Sequence, residues 1–288
     1  MATVAGFNKT SQNDLVGGIQ LDAIILGMNT QPRVYQDIAM INTAVSAPTW
    51  RIARNDLITV NTVLAETDEA AYTSFTTSGV EITPSMYPVR SFVSFELSQD
   101  SEVDVLSKAI ADHAEAIMNA IDANVLANIS SATNTTDHNG VAQDKDKFLA
   151  PLVAFKKQKP NAGQQVFVGG YKQIADVINA FADAGGSAYG VPGLVSNAVG
   201  GVQDTSIYKR GSVAGIDLYE AAVPASGGSD VSGAFMVKAR ALAVGFWVLL
   251  DYKLTDPAGR IGVELMTWSR YGTGIPNQAN LREVISLA

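Results

Sequence analysis

The chain has 288 residues, is 47% hydrophobic and 17% charged, and carries only 10 prolines, so it can bury a sizeable core and is not disordered as a whole. It contains no cysteine, which excludes disulfides, thiol nucleophiles and cysteine-rich zinc or iron–sulfur sites. A formal net charge of −8 argues against a surface that grips nucleic acid throughout.

The opening MATVAGFNKTSQNDL lacks a basic-then-apolar signal pattern, so the chain is expected to be made and folded in a cytoplasm. Residues 1–45 read as an arm, with one short apolar segment, Leu21 to Leu26, and few residues able to make a core. Such an arm packs on its own domain or on a neighbouring chain. Residues 48–98 read as β-structure. Trp50-Arg51-Ile52 and Leu57-Ile58-Thr59-Val60 are β-favouring runs, followed by the acidic Glu66-Thr67-Asp68-Glu69 and a Thr/Ser-rich stretch from Tyr72 to Gly79. Val80, Ile82, Pro84 and Met86 then alternate with polar residues, as do Val93, Phe95 and Leu97. The simplest arrangement is a long two-stranded excursion. An isolated hairpin is marginal in water, so this one needs contacts beyond its own strands.

The next stretch organises the rest of the chain. From Ser101 to Ile129, apolar residues recur at Val103, Leu106, Ile110, Ile117, Ile121 and Val125, one continuous stripe along an α-helix. Ser101 with Asp104 resembles a capping box, and no Pro or Gly interrupts the run. At about 1.5 Å per residue the helix extends roughly 43 Å, too long for one small core. It reads as a strut.

Residues 130–147 are predicted to form a polar loop closing this helix. From Phe148 the pattern is mixed α/β: a strand at Gln165–Val168, then a helix from Tyr171 to Phe181 with Ile174, Val177, Ile178 and Phe181 on one face. The run from Ala184 to Gly201 holds six glycines and Pro192 and is predicted to be a loop. Val213–Tyr219, Ala234–Val237, Ile261–Trp268 and Asn280–Leu287 read as strands. The most apolar run, Ala239 to Leu250, contains Arg240 and is too short to span a bilayer, so no membrane contact is expected.

Catalytic constellations are scarce. His113 lies mid-helix beside the apolar stripe and reads as structural. His138, in Asp137-His138-Asn139, reads as an ordinary loop residue. Asp137 to Gly140 with Asp144 and Asp146 only weakly echoes a calcium loop, lacking its spacing and closing glutamate. There is no G-x-x-x-x-G-K-[ST] phosphate loop and no G-x-S-x-G elbow. Gly272-Thr273-Gly274 lacks the third glycine of a dinucleotide fingerprint. Lys156-Lys157-Gln158-Lys159 reads as a solvated basic face. No cofactor, metal or enzymatic activity is expected.

The run VEITPSMYPVRSFVSFELSQDSEVDVLSKAIADHAEAIMNAIDANVLA (80–127) resembles the β-return and spine helix of tailed-bacteriophage major capsid proteins of the Hong Kong 97-type fold. The glycine-rich 184–201, the strand GIDLYE (215–220) leading to Val223-Pro224, and the terminal IGVELMTWSRYGTGIPNQANLREVI are similar to further parts of that family. The order of parts covers nearly the whole chain.

The resemblance implies an α+β Hong Kong 97-type capsid fold. It would have an N-terminal arm (1–47), an extended β-hairpin loop (48–82) reaching over a neighbouring subunit, and a peripheral domain (83–147 and 251–288) with its spine helix at 101–130. The axial domain (148–250) would gather five or six copies around a capsomer axis, with Gly185, Gly186, Tyr189, Gly190, Pro192 and Gly193 in the axis loop. Inter-subunit contacts are expected at Glu66, Asp68, Glu69, Tyr72 and Phe75, and at Arg260 and Arg270 of the adjacent copy. The implied partners are the chain itself, as hexamers and pentamers of an icosahedral shell around double-stranded DNA, a portal and a cement protein. Many relatives carry a long helical scaffolding segment before the arm. This sequence has no room for one there, so a separate scaffolding protein is expected. An encapsulin-like compartment shell and a mixed α/β enzyme are the competing readings.

Overall fold

The structure, a computed structural model, describes residues 33–55, 77–100, 105–138, 140–158, 160, 163–183, 209–256 and 259–287. In chain order its helices are α1 (Val34–Ile38), α2 (Phe95–Asp100), α3 (Val105–Ala127), α4 (Lys145–Lys157) and α5 (Tyr171–Asp183). The strands are β1 (Met40–Asn42), β2 (Trp50–Asn55), β3 (Thr77–Ile82), β4 (Ser85–Ser94), β5 (Thr135–Asp137), β6 (Gln165–Gly169), β7 (Lys209–Val213) and β8 (Ile216–Glu220). They continue with β9 (Ala225–Gly227), β10 (Asp230–Val237), β11 (Ala243–Thr255), β12 (Gly262–Gly274) and β13 (Leu281–Leu287).

The described residues form three sheets. One is four-stranded in the order β1-β11-β12-β4, one runs β5-β13-β10-β6-β8-β7 with β9 beside β10, and β2 pairs with β3. The helix α3 lies on one face of the four-stranded sheet. Ile117, Ile121 and Val125 are buried there, in a cluster that also holds Phe246 of β11 and Tyr271 of β12. Farther along the helix, Ile110 packs with Leu265, and the half-buried Leu106 joins them. Polar contacts fix the helix too, since Asn124 donates to the Tyr271 hydroxyl at 2.6 Å. The same cluster takes in Val166 and Val168 of β6 and Ala234 and Met236 of β10, so one core joins the two larger sheets. On the far side of the second sheet, α4 and α5 pack down, and the rings of Phe148 of α4, Phe167 of β6 and Phe235 of β10 meet edge-on or tilted at 4.8–5.4 Å, with Phe155 beside them.

Several expectations are corrected. Residues 95–100 form a helix where apolar alternation suggested strand. The Ser94 hydroxyl accepts from the Leu97 N–H at 3.2 Å, an N-cap that starts α2 and leaves Leu97 exposed. The spine helix is described from Val105, so Ser101, Val103 and Asp104 lie outside the described residues. At about 1.5 Å per residue, its 23 described residues extend about 34 Å. The loop expected at 130–147 contains β5 and the first turn of α4. Val213–Tyr219 is a hairpin rather than one strand, because Ala214 and Gly215 both take positive φ, 53° and 77°, as a tight two-residue turn requires.

The arm, read as poor in core residues, ends in Val34, Tyr35 and Ile38, all buried in the main cluster. It is tied to the spine by Arg33 to Asn119 (2.6 Å) and by the Tyr35 N–H to Asp122 (3.0 Å). The segment after 251 divides between sheets: β12 joins the four-stranded one, whereas β13 pairs antiparallel with β10 and parallel with β5.

Candidate functional site

Both histidines and the acidic start of α4 help to hold the fold. His113 is buried, with Nδ1 3.2 Å from the Thr267 hydroxyl, and burial pulls its imidazole below the usual range against the pull of Asp112. The imidazole Nε2 of His138 donates to the Lys147 carbonyl at 3.1 Å. Asp144 caps α4, accepting from the Lys147 N–H at 2.8 Å and pairing with its ammonium, so this part of the weak echo of a calcium loop is a helix start. Among the described residues no three His, Asp or Glu side chains gather where they could hold a metal ion.

What the described surface offers is the outer face of the four-stranded sheet, opposite α3. Strand pairing sets Met86, Pro88, Arg90 and Phe92 of β4 beside Arg270, Trp268, Met266 and Glu264 of β12, pair by pair. All four β4 residues are exposed, Met86 at 57%, and Ile261 at the foot of the sheet reaches 77%. Charge sits among these apolar groups. Arg90 grips Glu264 with two hydrogen bonds, and the pair holds the Glu264 carboxyl below the usual range. Arg260 lies over the Phe92 ring, 5.8 Å from its centroid. Arg270, opposite Met86, is exposed. β4 is the edge strand of its sheet and carries Pro88, as edges tolerate. A face both apolar and charged on an open sheet is suited to binding another protein surface.

No protein-family model and no curated protein sequence matches the chain. Solved structures do. The capsid structure of the cyanophage P-SCSP1u superposes with a TM-score of 0.63 at 11% identity, covering 89% of this chain and 88% of that one. The capsid of Ralstonia phage GP4 gives 0.65 at 9% identity over 87% of each chain. The capsid of Helicobacter pylori bacteriophage KHP30 gives 0.65 at 8% identity over 86% of each. The fold is that of a phage capsid subunit.

Within this capsid fold the predicted site residues that are described fall into two groups. Leu106, Ile110, Ile117, Ile121 and Val125 share the face of α3 that meets the sheet. Arg260 and Arg270 share the outer face, but at opposite ends: they flank Phe92 and Met86, six residues apart on β4 or about 20 Å. Glu66, Asp68, Glu69, Tyr72, Phe75, the axis-loop residues Gly185, Gly186, Tyr189, Gly190, Pro192 and Gly193, and Val103 lie outside the described residues. Sequence reasoning passed over Phe92 and Trp268 as surface residues. The available signal was the matched alternation of β4 and β12, each with apolar residues on both faces. Among the described residues no helix is long and apolar enough to cross a membrane.

Proposed function

We propose that the chain is the major capsid protein of a tailed phage, a structural subunit that assembles with copies of itself into the icosahedral shell of the virion. The observation that carries this reading is likeness to capsid subunits over nearly the full length of both chains. In this reading the fold is of the Hong Kong 97 type. Residues 1–47 form the arm, 48–82 the extended loop, and α3 the spine of a peripheral domain built on β4, β12 and the last residues of β11. An axial domain, about 148–250, gathers around five- and six-fold axes with residues 184–201 near the axis, and β13 links the two domains. The extended loop places Glu66, Asp68 and Glu69 on Arg260 or Arg270 of a neighbouring copy. Glu66 to Glu69 spans only about 10 Å at full extension, so these three carboxylates engage one of the two arginines at a time. A closed shell needs such repeated contacts between identical copies.

Double-stranded DNA is confined by the closed shell, with little direct affinity, in keeping with the net charge of −8. Assembly in the host cell with a separate scaffolding protein and a portal completes the proposal. Electron microscopy of the purified protein, alone and with its scaffold, tests it. Closed icosahedral particles are the expected result. Particles that enclose protein cargo in the host instead of DNA, or a chain that stays monomeric in both preparations, would overturn it.

A further inference from the structure

The hairpin β2–β3 meets the body of the subunit at its first residue pair, Trp50 and Ile82, and what lies beneath that pair is glycine. Gly245 of β11 stands opposite Gly272 of β12, and Gly274 lies two residues on, on the same outer face. A Cβ at Gly272 would lie 2.5 Å from the Thr83 carbonyl oxygen and 2.7 Å from Ile82 Cγ2. One at Gly245 would lie 2.7 Å from the Trp50 ring and 3.3 Å from Val45 Cγ2, and one at Gly274 3.1 Å from Ile82 Cγ1. None of the three has a positive φ, so glycine is not needed there for backbone freedom. It is needed for close approach. Trp247 closes the side of the seat by donating its indole N–H to the Ala47 carbonyl.

We propose that Gly245, Gly272 and Gly274 are positioning residues for assembly: they form a flat seat that sets the direction in which the hairpin leaves the body, and that direction decides whether copies close into a shell. The second half rests on the shell-subunit reading above. Ordinary contact needs 3.4–4 Å, so an alanine at Gly272 lifts the root by about 1 Å. Because neighbouring strands stand about 4.8 Å apart, a 1 Å lift on one side tilts the hairpin by about 12°. At about 3.3 Å per residue, that tilt carries Ser78, four residues out from Ile82, about 3 Å from its native position. The core beneath is untouched, since Phe246 and Tyr271, which alternate with the glycines, face the other side.

The absence of cysteine makes the test direct. Spin labels at Ser78→Cys and Lys253→Cys, both exposed positions, report the hairpin-to-body distance in the full chain. Gly272→Ala and Gly245→Ala are each expected to keep the native circular dichroism and a nearly native melting temperature. The label distance should shift by about 3 Å or broaden, and closed particles should be lost or misshapen. A native distance in both variants would overturn the seat, with or without particle loss. A shifted distance with normal particles would overturn the link to assembly. Failure of both variants to fold would assign the glycines to core stability and overturn the proposal as well. If the unaltered chain forms no particles, the shell reading falls, while the label distance still decides the seat.

Discussion

Pro151 stands in the seventh position of α4, where its ring nitrogen has no hydrogen to give the carbonyl of Lys147, four residues back. That carbonyl takes its hydrogen from His138 Nε2 instead. An interior proline is tolerated because a side chain from the preceding loop supplies the missing donor. His138→Ala is therefore expected to cost about 0.5–1.5 kcal/mol in urea denaturation. In a Pro151→Ala background the cost should largely vanish, because residue 151 then donates for itself. Equal costs in both backgrounds would show that the two residues are not coupled. Glu283 gives a pH dependence. It is buried in β13 between Thr135 and Ala234, and burial pushes its carboxyl up, with the Ser232 hydroxyl pulling down and Asp137 again pushing up. The folded state thus holds its proton above the unfolded value near 4.5. From there up to the raised folded value the native chain binds more protons, so stability falls as pH rises and the deficit stays constant above. Glu283→Gln should raise the melting temperature at pH 7 and lose that advantage below about pH 4.5.

At the scale of elements, α3 depends on its apolar face more than on its own propensity. Ile117 is buried in the cluster shared by both larger sheets, so Ile117→Ala should lower unfolding free energy by about 2–5 kcal/mol, read from chemical denaturation. Ile117→Asp, which leaves a charge without a partner there, should abolish soluble expression. A soluble, assembled Ile117→Asp protein would put that face on the wrong side of the helix. The spine was legible because its stripe holds one period through Ile110, Ile117, Ile121 and Val125. Short elements were not. Phe95 and Leu97 alternate as they would in a strand, yet one cap, the Ser94 hydroxyl on the Leu97 N–H, starts a helix there instead. Ala214-Gly215 turns a hairpin without the Asn-Gly or Asp-Gly that marks one, since Gly215 and the strand pairing around it hold Ala214 in a left-handed conformation.

For the whole molecule, the proposed contact between copies sets three acidic residues against an arginine of the outer sheet face. A single exposed pair contributes only about 0–1 kcal/mol. A shell repeats it at every subunit, so a small bias governs closure. Reversing Glu66, Asp68 and Glu69 together to Lys should leave circular dichroism unchanged and block or misdirect assembly. Arg270→Glu, exposed and opposite Met86, should restore particles better than Arg260→Glu, because Arg260 is already engaged by Phe92. Normal particles from the triple variant would show that the acidic turn is a solvated tip.

By itself the sequence determined the elements whose signal is long or local: the spine from its apolar period, the helix at 171–183 from its single face, and the absence of thiol chemistry from composition. It also pointed to the capsid fold, through the order of parts along the chain. Only the tertiary structure decided which strands share a sheet, since alternation in β12 and β13 looks alike and pairing is set by partners far away in the chain. The arm's end shows the same limit. Val34, Tyr35 and Ile38 are too few to announce a core, and they become one only where α3 and β11 present a surface to receive them. The glycines at 245, 272 and 274 were equally silent. In one dimension each marks a turn or a weak strand, and their common purpose exists only where two strands bring them beneath Trp50 and Ile82.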